Sequence, residues 1–367
     1  MMIRRLTSLA ALGLVVASCT GGAVGTASTS AGASAAAATG SSPAAGDLVS
    51  IGAGIDGPAS LSATVYATGL TRAAAFAIDP EGRLWVATAD YTDSGKDGIH
   101  LVPSAGATPI EVIGDAHTPL GLLWDSGSLY VAAAGGVVAY SAFNGTAFAD
   151  RRTILALPAD VGEVNGLVLG PDGRMRLGVS SPCDSCTPTL ADSAAVLSFN
   201  PDGTDLQVEA SGIRAPVGLA YYPGTSDLFV TMNQRDDLGA ATPGDWLAVV
   251  QKGESWGFPA CYGEGGSVCS GVPAPVATLD KHAAVSGVAI VQGQLGSTVG
   301  TSAIVAEWAT GSVLRVALTK AGSTFTGVVA PFLTGVQKPV AVLLGPDGAL
   351  FVGDWQTGTI YRIAANA

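Results

Sequence analysis

The strongest constraint in this 367-residue chain is a repeat. Its clearest copy runs from Pro339 to Ala364, PVAVLLGPDGALFVGDWQTGTIYRIA. The copy holds an apolar run, a Gly-Pro-Asp-Gly turn at Gly345 to Gly348, and a second apolar run from Ala349 to Val352. A polar loop around Asp354 and Trp355 follows, and then a β-rich run from Thr359 to Ile363. Short β-branched and aromatic runs broken by Pro-Asp-Gly read as an antiparallel meander, because those turns reverse a strand and those side chains suit a pleated surface. One such sheet cannot cover both its faces, so it needs copies of itself to stack on.

Six copies are legible. Aligned on the centre of the second strand, they fall at Val86, Val131, Leu177, Val230, Val305 and Val352, with spacings of 45, 46, 53, 75 and 47 residues. A period near 45 with about four strands per copy is the mark of a propeller blade. The sequence therefore predicts an all-β protein, a six-bladed β-propeller with four-stranded antiparallel blades and an insertion in the 75-residue interval. The alternative is an irregular sandwich with chance turns. Ring closure is expected from pairing of Ala63 to Ala67 with Thr359 to Ile363, which removes an exposed sheet edge.

The N-terminus is a different kind of chain. Arg4 and Arg5 precede an apolar run from Leu9 to Val16, followed at once by Val16-Ala17-Ser18-Cys19. The run is too short to cross a bilayer and reads as an export signal. Small residues ahead of a cysteine resemble a bacterial lipoprotein signal over residues 1–19, in which Cys19 becomes the lipidated first residue; an ordinary cleaved signal is the alternative. Residues 20–60 are Ala, Gly, Ser and Thr with few large side chains, the composition of a flexible tether. Residues 61–367 are left for the propeller, and membrane contact is expected only through the lipid anchor.

The formal charge of −12 becomes −14 once Arg4 and Arg5 leave with the signal, which argues against nucleic acid as a partner. Apart from Cys19 there are four cysteines, Cys183 and Cys186 in a Pro-Cys-Asp-Ser-Cys-Thr loop and Cys261 and Cys269 in the insertion. Export favours two local disulfides over a zinc site.

In a propeller the first strand of every blade starts at the same face of the central channel. The entry positions of the six repeats are Arg72, His117, Glu163 with Asn165, Arg214, His282 and Lys338. Two of the three histidines and three of the 17 basic residues thus occupy equivalent places in a weakly charged chain. The loops after the second strands add Asp90 and Tyr91, Asn233 to Asp237, Glu307 with Trp308, and Asp354 with Trp355 to that face. Cationic groups in a throat with carboxylates and tryptophans at the rim suit an anionic ligand, a metal bridging to it and a sugar-like substrate stacked on aromatic rings. Purely structural roles are equally open for the individual residues: loop caps for Asp236 and Asp237, interblade packing for the tryptophans.

Several segments in order, Asn165-Gly-Leu-Val-Leu-Gly-Pro-Asp-Gly173, Gly212-Ile-Arg-Ala-Pro-Val-Gly-Leu219, Asn233-Gln-Arg-Asp-Asp-Leu-Gly239, Trp256-Gly-Phe-Pro-Ala-Cys-Tyr-Gly263, His282-Ala283 and Lys338-Pro339, resemble the signature of the glucose/sorbosone dehydrogenase family. The resemblance spans roughly Leu70 to Ile363. It implies an exported six-bladed propeller that uses pyrroloquinoline quinone (PQQ) and calcium to oxidise an aldose or related hydroxy compound, passing electrons to an external acceptor. By position it implies cofactor contacts from Arg214 and Lys338; Trp308 and Asn165 are expected to contact the cofactor beside them, and Asp236 and Asp237 to hold the metal. The family's catalytic histidine falls on Gly162, and the asparagine after the cofactor arginine is Ala215. Glu163 and His282 are the candidates to replace the missing base. Two further readings stay open: a non-catalytic ligand- or partner-binding propeller, and a calcium-dependent lactonase using Glu163, Asn165 and Asn233.

Overall fold

The computed structural model describes residues 47–90, 97–262 and 266–366. The chain enters through a hairpin of β1 (Val49–Gly52) and β2 (Ile55–Gly57), then β3 (Leu61–Ala67). Blade one is β4 (Ala73–Ile78), β5 (Leu84–Thr88), β6 (Gly98–Val102) and β7 (Ile110–Ile113). Blade two is β8 (Gly121–Asp125), β9 (Ser128–Ala133), β10 (Gly136–Phe143) and β11 (Phe148–Ala156). Blade three is β12 (Val164–Leu169), β13 (Met175–Val179), β14 (Ala195–Phe199) and β15 (Gln207–Ser211). Blade four is β16 (Pro216–Tyr221), β17 (Leu228–Met232), β18 (Trp246–Val250) and β19 (Ala277–Thr278). Blade five is β20 (Val285–Gln292), β21 (Thr301–Glu307), β22 (Ser312–Ala321) and β23 (Thr324–Leu333). β24 (Pro339–Leu344), β25 (Leu350–Asp354) and β26 (Thr359–Ala365) begin blade six.

Among the described residues these strands form six four-stranded sheets and one two-stranded hairpin, so the six-bladed propeller expected from the repeat is the fold. Each of the six aligned residues sits in the second strand of its own blade. The sixth blade borrows its outer strand from the start of the domain: β3 pairs antiparallel with β26, with Ala63 opposite Ile363 and Ala67 opposite Ile360. The expected closure is thus in place, and no blade is left with half a sheet. The insertion occupies 251–276, between the third and fourth strands of blade four, and is tied to blade three where Trp256 N donates to Ser211 O at 2.9 Å.

Two local features set the width of the channel. Gly121, Gly166, Gly218 and Gly287 recur at one place in successive first strands, and a Cβ at each would strike the carbonyl oxygen of Asn165, Val217, Ser286 and Val340 on the next blade. The register slips at the matching point in β12, β16, β20 and β24, a bulge that turns the strand toward its neighbour. The six first strands enclose an axial cavity of about 850 Å³ that reaches the turns at Pro80, Ser126 and Pro346, opposite the entry residues. At the entry end Ala74, Leu120 and Val340 pack with Ala89, Trp308 and Trp355. Between blades the second and third strands carry fully buried side chains, among them Trp85, Phe199 and Phe229.

One segment departs from the reading of its composition. Residues 49–57 fall within the stretch assigned to a tether, yet they form the β1–β2 hairpin, bonded to blade five through Asp56 and Thr334 in both directions at 3.1 and 3.0 Å. Ile51 and Ile55 explain it, since both are buried beside Phe332 and Leu333 and supply the apolar area that the Ala-Ser-Gly composition lacks. Cys19 and the rest of the 1–19 signal lie outside the described residues.

The closing seam can be locked. Thr64 and Arg362 are opposite one another on β3 and β26. Thr64→Cys with Arg362→Cys is expected to oxidise spontaneously and raise stability by about 2–5 kcal/mol, since the bridge would close nearly the whole domain into one loop. Free thiols after air oxidation, or an oxidised protein that melts below the wild type, would contradict the closure.

Candidate active site at the channel mouth

The entry residues do lie at one face with the loops after the second strands. Ala89 N bonds Arg72 O, Ser180 N bonds Glu163 O, Asn233 N bonds Ala215 O and Trp355 N bonds Lys338 O, at 2.8–3.2 Å, so each loop is stitched to the start of its own first strand. What the side chains do there differs from residue to residue.

Arg214 is largely enclosed, with 18% of its side chain exposed. Its guanidinium already holds an anion: Nη2 pairs with Asp184 Oδ1 at 2.8 Å, Nε donates to Asp184 O at 3.0 Å and Nη1 to Asn233 O at 3.3 Å. Asp184 is the hub of this corner, because its carboxylate also accepts from the backbone N–H groups of Asp236 and Asp237 at 2.8–3.1 Å. It stands inside the Cys183–Cys186 disulfide, and the second expected bridge, Cys261–Cys269, is also formed. In the sequence Asp184 is one residue of the Pro-Cys-Asp-Ser-Cys-Thr loop, with no repeat position to mark it. The signal that would have raised it is its place between two paired cysteines, which fixes a short loop rigidly enough to present one carboxylate.

Glu163 is solvent-accessible by surface area, yet protein surrounds its carboxyl on most sides, as a position in the throat of a concave mouth requires. That enclosure raises its pKa above the ordinary carboxylate range, and the positive charge of Arg214 opposes the rise. Gly162 beside it has φ +108°, and a Cβ there would collide with the carbonyl oxygen of Ser180. As packed, the position that carries the base in the resembling family has room for no side chain. Asn165 is buried and donates from Nδ2 to Ser180 Oγ at 2.8 Å, holding the loop rather than facing a ligand. Asn233 Oδ1 is buried with no hydrogen-bond partner.

The expected metal ligands do not converge. Asp237 takes two hydrogen bonds from Arg235, both at 2.6 Å, which hold its carboxyl down at about 2. Asp236 Oδ1 lies 2.6 Å from His282 Nδ1. His282 Nε2 is 3.0 Å from Gly239 O, so both ring nitrogens face acceptors and the imidazole pKa is raised. That arrangement favours the imidazolium, which cannot accept a proton. Among the described residues no three His, Cys, Asp or Glu side chains form a metal-binding group.

On the far side of the mouth, Arg72 pairs with Asp90 at 2.9 Å, and Lys338 Nζ lies 4.3 Å above the Trp308 ring while donating to Ala309 O at 3.2 Å. Trp308 meets Trp355 edge to face at 5.9 Å. His117 is exposed at the same rim, and Tyr91 lies outside the described residues. Glu307 and Asp354, expected at the rim, are instead fully buried. Each ends a second strand and turns back to hold backbone N–H groups: Asp354 those of Gln337, Lys338 and Gln356 at 3.0–3.2 Å, Glu307 that of Asp280 at 3.3 Å. Buried Asp97 and Asp245 do the same across blade boundaries, joining Asp90 to Thr118 and Gln234 to Val285.

The sequence profile of a family described as a domain of unknown function (DUF7133) matches residues 68–362. The chain belongs to that family. No curated protein matches this DUF7133 chain. Solved structures with its fold include the PQQ-bound aldose sugar dehydrogenase of Streptomyces coelicolor, 20% identical over 84% of this chain and 100% of that one, TM-score 0.65. The holo PQQ domain of pyranose dehydrogenase from Coprinopsis cinerea is 14% identical over 84% and 97%, TM-score 0.69. A calcium structure of the Trichoderma reesei family AA12 enzyme is 17% identical over 84% and 96%, TM-score 0.67. The likeness is one of fold, the fold that the resemblance to glucose/sorbosone dehydrogenases implied.

The buried carboxyls of this DUF7133 domain make its stability depend on pH. Burial pushes Asp245 up to about 6 and Glu307 up to about 7, the latter with help from Asp280. Both fold in favour of the protonated form, so their contribution is present below the ordinary carboxylate pKa and is lost as pH rises through the folded values. Glu307→Gln should therefore gain thermal stability relative to the wild type as pH rises from about 5 to about 8. A melting-temperature difference that is constant over that range would rule out a titrating Glu307.

Proposed function

We propose that this chain is an extracytoplasmic PQQ-dependent dehydrogenase of an aldose or related hydroxy compound, held at the membrane through lipidated Cys19 and delivering electrons to an external acceptor. The observation that carries the reading is the mouth itself: Arg214 partly buried beside Glu163, Lys338 laid over Trp308, on a fold shared with PQQ-binding sugar dehydrogenases. The quinone is a tricarboxylate that accepts hydride when bound. Its carboxylates would find a forked donor in Arg214 and a point charge in Lys338, and the Trp308 ring offers a flat apolar face. Glu163 is the residue suited to accept the substrate hydroxyl proton: it is a carboxylate enclosed in the throat, and a pKa raised above the ordinary carboxylate range makes it the stronger base. His282, bonded through both nitrogens, orients Asp236 instead. Asp236 and Asp237 do not fit a calcium ion as they are paired, so no step is assigned to one.

Gly162 favours a second reading, in which the mouth binds an anion without turnover. Reconstitution of the purified protein with PQQ, followed by binding titration and dye reduction over a panel of sugars, separates the two. Arg214→Ala should weaken quinone binding by about 2–4 kcal/mol, with Arg214→Lys recovering part. Glu163→Gln should bind quinone normally and lose turnover by about a hundredfold or more, and the wild-type rate should rise with pH through a pKa above the usual carboxylate range. Binding without turnover in the wild type supports the second reading, and an absence of quinone binding refutes the dehydrogenase reading.

A further inference from the structure

We propose that the Cys183–Cys186 disulfide is a reducible site that exchanges with an external dithiol, and that opening it releases Arg214 from Asp184. The two disulfides of this protein differ in access. Cys186 is exposed and Cys183 partly so, whereas Cys261 is only 4% exposed and Cys269 partly so, and their bridge lines a small pocket with Trp256, Phe258 and Val272. Cys183 Sγ also has donors in place: the backbone N–H of Cys186 at 3.0 Å, with Ser181 Oγ at 3.5 Å. Donors at sulfur stabilise a thiolate, and a stabilised thiolate is the better leaving group in exchange.

The chemistry follows from that asymmetry. A thiolate of the dithiol attacks the exposed Sγ of Cys186, the Cys183–Cys186 bond breaks, and Cys183 departs as a thiolate held by the Cys186 N–H and the Ser181 hydroxyl. The second thiol of the reductant then attacks its own sulfur in the mixed disulfide and Cys186 leaves in turn. The protein gains two electrons and two protons, and the dithiol becomes a cyclic disulfide.

The consequence lies one residue away. Asp184 is within the four-residue ring that the bridge closes, and that ring presents its carbonyl oxygen and its carboxylate together to Arg214. The ion pair, with 34% exposure on its acid side, contributes little alone; the Asp236 and Asp237 N–H groups also hold the carboxylate, and the covalent ring fixes the loop that presents it to both. Arg214 itself stays at the mouth after reduction, because its backbone oxygen accepts from Ser181 N at 2.6 Å and its Nη1 donates to Asn233 O. Reduction thus converts a neutralised cation into one open to an external anion.

The test treats the full chain with rising dithiothreitol, alkylates the freed thiols with iodoacetamide, and follows the reaction of Arg214 with phenylglyoxal by peptide mass. Neither readout requires the quinone, so this site stands or falls apart from the dehydrogenase reading. Cys183 and Cys186 should be alkylated at reductant concentrations that leave Cys261 and Cys269 paired, and Arg214 should then react about fivefold faster or more. Asp184→Asn should give the fast Arg214 reaction while the disulfide is intact. Opening of Cys261–Cys269 first or in step, or an Arg214 rate unchanged by reduction, would overturn the proposal.

Discussion

Everything at the mouth depends on how closely the six first strands approach one another. Four of them carry a glycine where any side chain would meet the neighbouring blade's carbonyl oxygen, and in three of the four the backbone bulges at the matching point. With a Cβ at those positions the blades would have to move apart, and the entry residues would sit on a wider ring. Contact between backbones is therefore what turns residues scattered from Arg72 to Lys338 into one site, and closure through β3 and β26 completes the circle.

The acidic residues fall into two populations that composition does not separate. Asp97, Asp245, Glu307 and Asp354 are buried and satisfied by backbone N–H groups, in two cases from the adjoining blade, so they act as brackets that hold entry loops in register. Asp184, Asp236 and Asp237 are solvent-facing and engage Arg214, His282 and Arg235. Loss of water penalises ionisation at Asp245 and Glu307, whereas Asp237 sits opposite Arg235 and keeps its charge.

This pairing defines the state of the mouth. The guanidinium that any anionic ligand would use is occupied by the protein's own carboxylate, so a ligand must displace Asp184 or share the site with it. The throat base and the cation are electrostatically linked, since Arg214 draws down the pKa that enclosure raises on Glu163. Neutralising or freeing that one arginine therefore changes both affinity for an anion and the readiness of the base.

The sequence by itself determined the repeat, and with it the blade count, the strand that closes the ring, the face on which the entry residues gather and the two local disulfides. These depend on short-range patterns: period-two runs, Pro-Asp-Gly turns and cysteines a few residues apart. Only the tertiary structure decided the partners. Glu307 and Asp354 read as rim carboxylates until the strands showed them buried, and Asp236 and Asp237 read as metal ligands until Arg235 and His282 took them. Ile51 and Ile55 gave a polar stretch an ordered hairpin that its composition concealed. Whether a charged group faces solvent, a ligand or a counter-charge depends on angstrom-scale distances between segments that are remote in the chain. Arg214 and Asp184, 30 residues apart and joined at 2.8 Å, are the case on which this site turns.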